Sequence, residues 1–387
     1  MIHVGTRMPS RSALFELLAP PLTGGARVDV CIVGAGLAGM VAAYFLARDK
    51  RRVMVLDEGP IGGVPGGSDS GHFASVSEKS YAELERLHGR DGAWIAAQSH
   101  AAAMGAIESI VAREKIACDF ERLDGYLLAT PQGGEDEIQR EYEAARRAGV
   151  EGVELVCSAP LPRAGPCVRF PRQVQFSSPR FLSGLARAIA REGGRIHCGV
   201  RAKAVLAGQP ASLLTTAGHR IDAAAIVTPH PPRADGNLDT RPATRMAHVV
   251  GLRVARGTIP RALYWDSSHP ARCARLRHHG GGASEVLLVG GEDPPGPVQH
   301  DNDRYEALEK WARERFPETG EVVQHFSGQI TQTLDVFAYT AQAHSEAESL
   351  YVSTGDWGTA TTRGALAGLV IRDFTTTLRP ARVAQPA

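Results

Sequence analysis

Apolar positions follow two different periods along this chain, and the switches between them mark its elements. The apolar run Val28 to Val33 reads as a buried strand and stops at Gly34. An alanine-rich stretch with helical spacing follows, and a second apolar run, Val53 to Leu56, ends on Asp57. The chain therefore opens on strand, tight turn, helix, strand. Between Ser80 and Ala117 apolar residues recur every three or four positions in two segments split near Gly89 to Gly92, which predicts two helices. Phe120 to Ala129 reads as two short strands turning at Asp124-Gly125, a hairpin dipeptide. Glu135 to Ala148 is a charged amphipathic helix whose Arg and Glu residues form a solvated face.

Prolines recur from Pro160 to Pro171, and an extended pattern resumes at Gln173 to Phe176. Ser178-Pro179 reads as an N-cap followed by proline at the first helical position of a helix, Arg180 to Glu192, ended by Gly193-Gly194. A strand over Arg195 to Val200 comes next. Ser212 to Thr216 and Arg220 to Thr228 are strands joined by the turn at Ala217 to His219, and Ala223 to Val227 is a further central strand. His230 to Arg241, rich in proline and charge, is the linker out of this unit. HVVGLRVARG, RALYWD and ASEVLLVGGED then predict an antiparallel sheet, with a helix from Arg304 to Phe316 stopped by Pro317 and a strand from Val322 to Ser327. Ser349 to Thr377 gives strand, glycine-rich turn and a helix starting near Thr361, returning the chain to its first unit.

This pattern predicts an α/β fold: a discontinuous Rossmann-like domain and a second domain on an antiparallel sheet. The first is drawn from residues 1–90, 172–235 and 340–387, the second from 91–171 and 236–339. At 387 residues the chain is long enough for both. The net charge of +1 gives no reason to expect nucleic acid or an anionic membrane as a partner. No apolar run approaches the ~18–20 residues that span a bilayer. Residues 1–22 read as a surface lead-in, not a signal peptide, because Glu16 and Pro20 break their apolar part. The six cysteines are scattered, with no C-x-x-C pair and no Cys/His ligand spacing. Reduced thiols in a cytoplasmic protein, with no metal site, are expected.

The chemistry begins at Gly34, Gly36 and Gly39, which spell G-x-G-x-x-G between a strand and a helix. Asp57 lies 18 residues past Gly39 (57 − 39), close to the ~20 expected of a dinucleotide site. Gly34 makes the turn, Gly36 admits a pyrophosphate, and Gly39 lets helix pack on strand, while the amides of Ala35, Leu37 and Ala38 lie at the phosphate-binding helix start. Asp57 would hold a ribose hydroxyl. These residues alone leave the dinucleotide open. The loop EGPIGGVPGGSDSGHFAS after the ribose-binding strand suits a backbone wrapped closely round a cofactor. A helix starting near Thr361 would aim its positive end at whatever lies above Gly355 and Asp356.

These stretches resemble the D-amino-acid oxidase-like family of FAD-dependent oxidoreductases, the group containing glycine, sarcosine and gamma-glutamylputrescine oxidases. The likeness looks closest to a bacterial branch in which the flavin domain is commonly followed by a Rieske iron–sulfur domain. It is carried by DVCIVGAGLAG, VMVLDEGPIGG, ELERLHGRDGAW, ALYWD, VGGED, WARERFP, FSGQ and YVSTGD, spread over nearly the full length. It implies FAD as the cofactor. Gly34 to Gly39, Asp57, Glu58, Gly62 and Gly63 match the nucleotide half, and Val200 and Thr228 match strand ends near adenine and pyrophosphate. Gly355 and Asp356 match the flavin motif, with Gly358, Thr359, Ala360 and Thr361 following in the same turn.

The resemblance also implies oxidation of a C–N bond of a small amine or amino-acid-like molecule. A neutral amine gives a hydride to flavin N5, so no Ser/His/Asp set is required. Dioxygen, with hydrogen peroxide released, is the expected acceptor; a separate electron-transfer protein is the rival, and altered or non-redox biosynthetic chemistry a second. The Rieske domain is expected to be absent. Ser68 stands where relatives often have arginine, and Trp357 replaces a small residue in GDWGTATTRG. His72 falls near a histidine that links FAD covalently in some relatives, against an ordinary polar contact. Tyr264, Arg275, His248, Gln329 and Trp357 are the pocket candidates. Arg275 suits a substrate carboxylate or a surface salt bridge; Tyr264 and Trp265 suit an aromatic wall or the core.

Overall fold

The computed structural model describes residues 19–62, 72–73, 80–130, 134–162, 164–206, 208–228, 244–268, 272–278, 282–292, 301–331, 339–342, 350–354 and 361–376. The chain starts with β1 (Ala26–Val33), α1 (Leu37–Arg48), β2 (Val53–Leu56), β3 (His72–Phe73) and α2 (Tyr81–Glu114), the last broken at Gly89 (φ 71°). It continues through β4 (Glu121–Leu128), α3 (Gly134–Arg147), β5 (Glu154–Val156), β6 (Cys167–Gln175), α4 (Ser178–Arg191) and β7 (Arg195–His197). Next come β8 (Ala202–Leu206), β9 (Ala211–Thr215), β10 (Arg220–Thr228), β11 (Thr244–Ala255), β12 (Leu263–Asp266), β13 (Arg272–His278) and β14 (Ser284–Glu292). It closes with α5 (Asp301–Arg315), β15 (Val322–Thr331), β16 (Tyr339–Gln342), β17 (Leu350–Thr354) and α6 (Thr361–Thr376).

The first sheet has the order β16-β17-β10-β1-β2-β7, and its five strands from β17 to β7 run parallel. The strand that follows β1 in the chain lies on one side of it, and β10, reached much later, lies on the other. Strand order therefore reverses at β1, and the crevice beyond the carboxyl ends of β1 and β10 is where an open sheet of this kind takes a ligand. Helices α1, α4 and α6 bury Met40, Tyr44, Phe181, Leu185, Ala365 and Ile371 in one core with the sheet. Two glycines set helix spacing: a Cβ on Gly368 would meet Val41 at 2.7 Å, and one on Gly184 would meet Ile116 at 2.5 Å.

The second sheet has the order β15-β11-β14-β13-β12-β4-β6-β3 and is antiparallel except where β4 meets β12. One face packs on α5 through Tyr264, Leu276, Val289, Trp311 and Phe316. The other, at the β12-β4-β6 end, packs on α2 and α3 through Tyr81, Leu84, Ile138, Phe170 and Trp265.

Three local expectations change. Residues 120–129 do not form a hairpin: Asp124-Gly125 sits inside the single strand β4, where a bulge opposite Pro171 and Arg172 (φ 56°) absorbs the irregularity. That bulge also explains why the proline-rich run 160–171 passes into β6 at Cys167, six residues before Gln173. A proline that cannot donate to the ladder is tolerated at an unpaired position. The N-cap of α4 is Ser177 instead of Ser178, one residue earlier than the Ser-Pro pair suggests.

The start of α2 is held from a distance. Ser80 accepts from the Glu83 N–H at 3.1 Å, and Glu141 of α3 accepts from the Tyr81 and Ala82 N–H groups at 2.8 and 3.0 Å. Glu141→Ala strands those buried donors and is expected to cost about 2–3 kcal/mol. Urea denaturation checks this, and an unchanged midpoint would show that α2 does not depend on the contact.

A second tie joins α1, α2 and α4. Burial at Glu114 opposes ionisation, but the Tyr44 hydroxyl at 2.7 Å and the Arg191 guanidinium outweigh it and hold the carboxyl below its ordinary value of 4.5. A carboxyl lowered by folding stabilises the fold fully above its unfolded value, and this is lost as pH falls through the lowered one. The gap in thermal midpoint between the parent and Glu114→Gln is therefore expected to be widest near neutrality and to shrink below about pH 4.5. A gap independent of pH would contradict it.

Candidate functional site

The carboxyl edge of the parallel sheet gathers the nucleotide residues. Gly34 takes φ 108°, which a side chain rarely adopts, and its N–H donates to the Leu56 carbonyl at 2.8 Å, joining the turn to β2. A Cβ on Gly39 would lie 2.1 Å from the Gly34 carbonyl oxygen and 3.1 Å from Ile32 Cγ2, so only glycine lets α1 approach β1 this closely. Gly36 is the N-cap of α1; it supplies no side-chain cap, and the first turn holds no acidic residue. With neither a competing oxygen nor a repelling charge from the helix's own first turn, this positive end suits a diphosphate.

Asp57 ties the edge together. Its Oδ2 accepts from the Ala35 N–H at 2.6 Å, its Oδ1 from the Gly59 N–H at 2.7 Å, and its carbonyl from the Val200 N–H at 2.8 Å. Burial raises its pKa above the ordinary 3.8, and the two amide bonds only partly offset this. Gly62 (φ 83°) donates to the Ala35 carbonyl at 3.0 Å, so both loops meet at the glycine turn. Thr228, fully buried, ends β10 opposite Val352, and Val200 is buried just past β7. Glu58 points to solvent and lies 3.5 Å from Arg201. The donor set and its spacing fit a dinucleotide with two ribose hydroxyls at β2. The acid and the glycine turn are thus brought together, along with Leu37 and Ala38 at the start of α1.

Thr361 opens α6, and His72 pairs with Gln175 in the β3–β6 ladder. Gly63, Ser68, Gly355, Asp356, Trp357, Gly358, Thr359 and Ala360 lie outside the described residues.

Among the described candidates, Tyr264 and Arg275 fall on opposite faces of the second sheet. Tyr264 is fully buried, its hydroxyl donates to the Pro260 carbonyl at 2.9 Å, and its ring packs on Tyr126 and Phe316. It belongs to the core and forms no wall; Trp265, on the opposite face, packs on Phe170. His248 is also buried and meets Tyr305 of α5, with ring centroids 5.2 Å apart. Arg275 pairs across the ladder with Leu263 and Leu288, whereas Tyr264 pairs with Ala274. Alternation therefore puts Arg275 on the face opposite Tyr264. Gln329 lies opposite Met246 in the β11–β15 ladder.

Arg275 instead lines a cleft with Gln175, Ser177, Arg261 and Arg277. Those four were not anticipated. For Arg277 the signal was Arg-Leu-Arg at 275–277, since residues two apart in a strand share a face; Gln175, Ser177 and Arg261 carried none.

With this geometry in view, comparison with known proteins gives one answer. Residues 29–373 match the family described as DAO, FAD dependent oxidoreductase. YhfW of Bacillus subtilis (strain 168), whose name marks it as a candidate Rieske 2Fe-2S iron-sulfur protein, is 23% identical over 361 residues, covering 92% of this chain and 70% of that one. Glycine oxidase of Geobacillus kaustophilus (strain HTA426) is 24% identical over 371 residues, covering 90% of this chain and 93% of the enzyme. The crystal structure of glycine oxidase from Geobacillus kaustophilus superposes with a TM-score of 0.72 at 21% identity, covering 92% of this chain and 96% of the other. NikD, described as an unusual amino acid oxidase essential for nikkomycin biosynthesis, gives 0.68 at 15% identity over 93% and 96%. At these identities the solved structures speak for the fold. The sequence match, spanning the glycine turn, Asp57 and both sheets, makes the chain a member of the family of FAD-dependent oxidoreductases.

Proposed function

We propose that the protein is an FAD-dependent oxidase of a C–N bond in a small amine or amino-acid-like molecule. The observation that carries the reading is the edge built from Gly34, Gly36, Gly39 and Asp57 within a chain whose relatives include a glycine oxidase. When bound, FAD supplies a two-electron acceptor that takes a hydride at N5, and dioxygen then restores it with hydrogen peroxide released. The amide groups at the start of α1 hold the diphosphate, Asp57 holds the ribose, and Val200 and Thr228 bound the nucleotide at the strand ends. The parallel-sheet unit is the FAD-binding domain and the antiparallel unit the substrate domain.

On the substrate side, Arg275 offers a fork of donors matched to a carboxylate. The only proton requirement is that the amine be neutral when its hydride leaves, so the pocket has to position the amine more than to deprotonate it.

Anaerobic mixing of the yellow protein with a panel of amines and amino acids tests the reading. Bleaching of the oxidised flavin by at least one compound, followed by peroxide formation when air is admitted, is expected. Bleaching with no peroxide would instead favour electron transfer to a separate protein. A flavin that no compound reduces would remove the oxidase reading.

A further inference from the structure

Residues 19–25, ahead of β1, form no regular element, yet they are fastened to the fold. Ala19 packs on the core shared with α1 and α4, whereas Leu22 packs on the core that holds Leu56 and Val200. Val30 and Ile32 belong to the first of these cores and Cys31 to the second, so the two lie on opposite faces of the parallel sheet. The segment thus passes from one face to the other, and it does so where β7, the outer strand, ends. At its far end Gly25 runs so close to β10 that a Cβ would lie 2.9 Å from the Arg220 carbonyl oxygen.

Two side chains at the end of β7 make the fastening. His197 Nδ1 lies 3.0 Å from the Pro20 carbonyl oxygen. A carbonyl can only accept, so Nδ1 carries the proton and donates it. The other ring nitrogen is enclosed and has no partner among the described residues, which leaves the bond to Pro20 as the polar contact that holds the ring. Cys198, 5% exposed, hydrogen-bonds the backbone of Ala19 and of Ile61, and its sulfur lies within the field of the Asp57 carboxylate. One sulfur therefore joins the lead-in to the loop after β2, beside the acid placed to hold ribose. The two rims are also tied to each other, the Asp57 N–H donating to the His197 carbonyl at 2.9 Å and the Val200 N–H to the Asp57 carbonyl at 2.8 Å.

We propose that residues 19–22 are a strap over the adenosine end of the FAD site, fastened by His197 and Cys198 as positioning residues, and that this strap governs how long FAD stays bound. Adenosine seated between the loop after β2 and the end of β7 is released when those two rims part. The strap grips both from outside, so it raises the barrier to release without touching the cofactor. Linkage makes the effect reciprocal: what the strap adds to FAD binding, bound FAD adds to closure of the strap.

The test is run on the full chain. FAD release from the loaded protein is followed by the fluorescence of free FAD after dilution, and uptake by mixing the apoprotein with FAD. Backbone hydrogen exchange over residues 19–25 is compared with and without FAD. His197→Leu removes the donor to Pro20 and is expected to speed release about 3–10-fold, the worth of one hydrogen bond. Uptake should change by less than about 2-fold, because loss of a contact falls mainly on dissociation. His197→Asn puts an N–H where Nδ1 stood and is expected to bring release back to within about 2-fold of the parent. Bound FAD should slow exchange over 19–25 in the parent and do so less in His197→Leu. Should His197→Leu fail to fold, Leu22→Ala, which loosens the lead-in on the other face of the sheet, is expected to speed release by a similar factor. Unchanged release from a folded His197→Leu protein would overturn the strap, as would lead-in amides that exchange equally fast with and without FAD. Release as fast in His197→Asn as in His197→Leu would also overturn it, since the ring would then act through packing alone.

Discussion

Gly39→Ala is expected to yield a protein that purifies colourless and does not take up FAD. The added methyl would sit 2.1 Å from the Gly34 carbonyl oxygen, a backbone atom with nowhere to go, because Gly34 is itself bonded to Leu56. Relief requires α1 to lift off β1, and the first-turn amides of α1 move with it. Overpacking of this kind typically costs about 1–3 kcal/mol of stability, occasionally more. The larger effect falls on the cofactor, since charge-assisted bonds to a diphosphate fail with small displacements. An FAD affinity lowered by at least about 100-fold is anticipated, read as loss of the flavin absorption band after gel filtration and by fluorescence titration of added FAD. A yellow Gly39→Ala protein with ordinary affinity would mean that the diphosphate is held elsewhere.

The second large effect is at Asp57. In the cofactor-free chain its carboxylate accepts the Ala35 and Gly59 amides, so it both shapes the glycine turn and stands ready for ribose. Asp57→Ala removes both functions, and a loss of about 10–100-fold in FAD affinity is expected, the worth of one or two hydrogen bonds to a charged group. Asp57→Asn keeps one acceptor and is expected to fall between. Burial raises the Asp57 pKa above 3.8, and ribose hydroxyls favour the ionised form. FAD affinity is therefore present in full above the raised pKa and lost as pH falls through it, beginning at a higher pH than an ordinary aspartate would give. In Asp57→Asn this acid limb should disappear. Fluorescence titrations from pH 7 to pH 4 decide it, and parallel curves for parent and variant would place the titration on another group.

The parallel-sheet half was open to reading because its evidence is local. Strand, glycine turn, helix and acid lie within 30 residues; Gly34 is demanded by its positive φ, and Gly39 by the Gly34 carbonyl that it packs on. The same holds for α4, where serine, proline and a closing glycine pair bracket the helix, although the cap itself falls one residue earlier. The error at 120–129 has the opposite origin. Asp124-Gly125 is a hairpin signal only when the flanking strands pair with each other, and here β4 pairs instead with β6 and β12.

Family membership and the phosphate turn were thus determined by the chain's own order of residues, since hydrogen bonds between near neighbours fix them. Which of Tyr264, His248 and Arg275 share a surface was decided only by the ladder register between β11, β12, β13 and β14. A shift of one residue in any of those pairings would exchange the faces, and nothing within one strand specifies the register of the next. The cleft at Gln175 has the same character: its lining, from Asp119 ahead of β4 through the end of β6 and the lead-in to β12 to Arg277 of β13, is brought together only by sheet assembly.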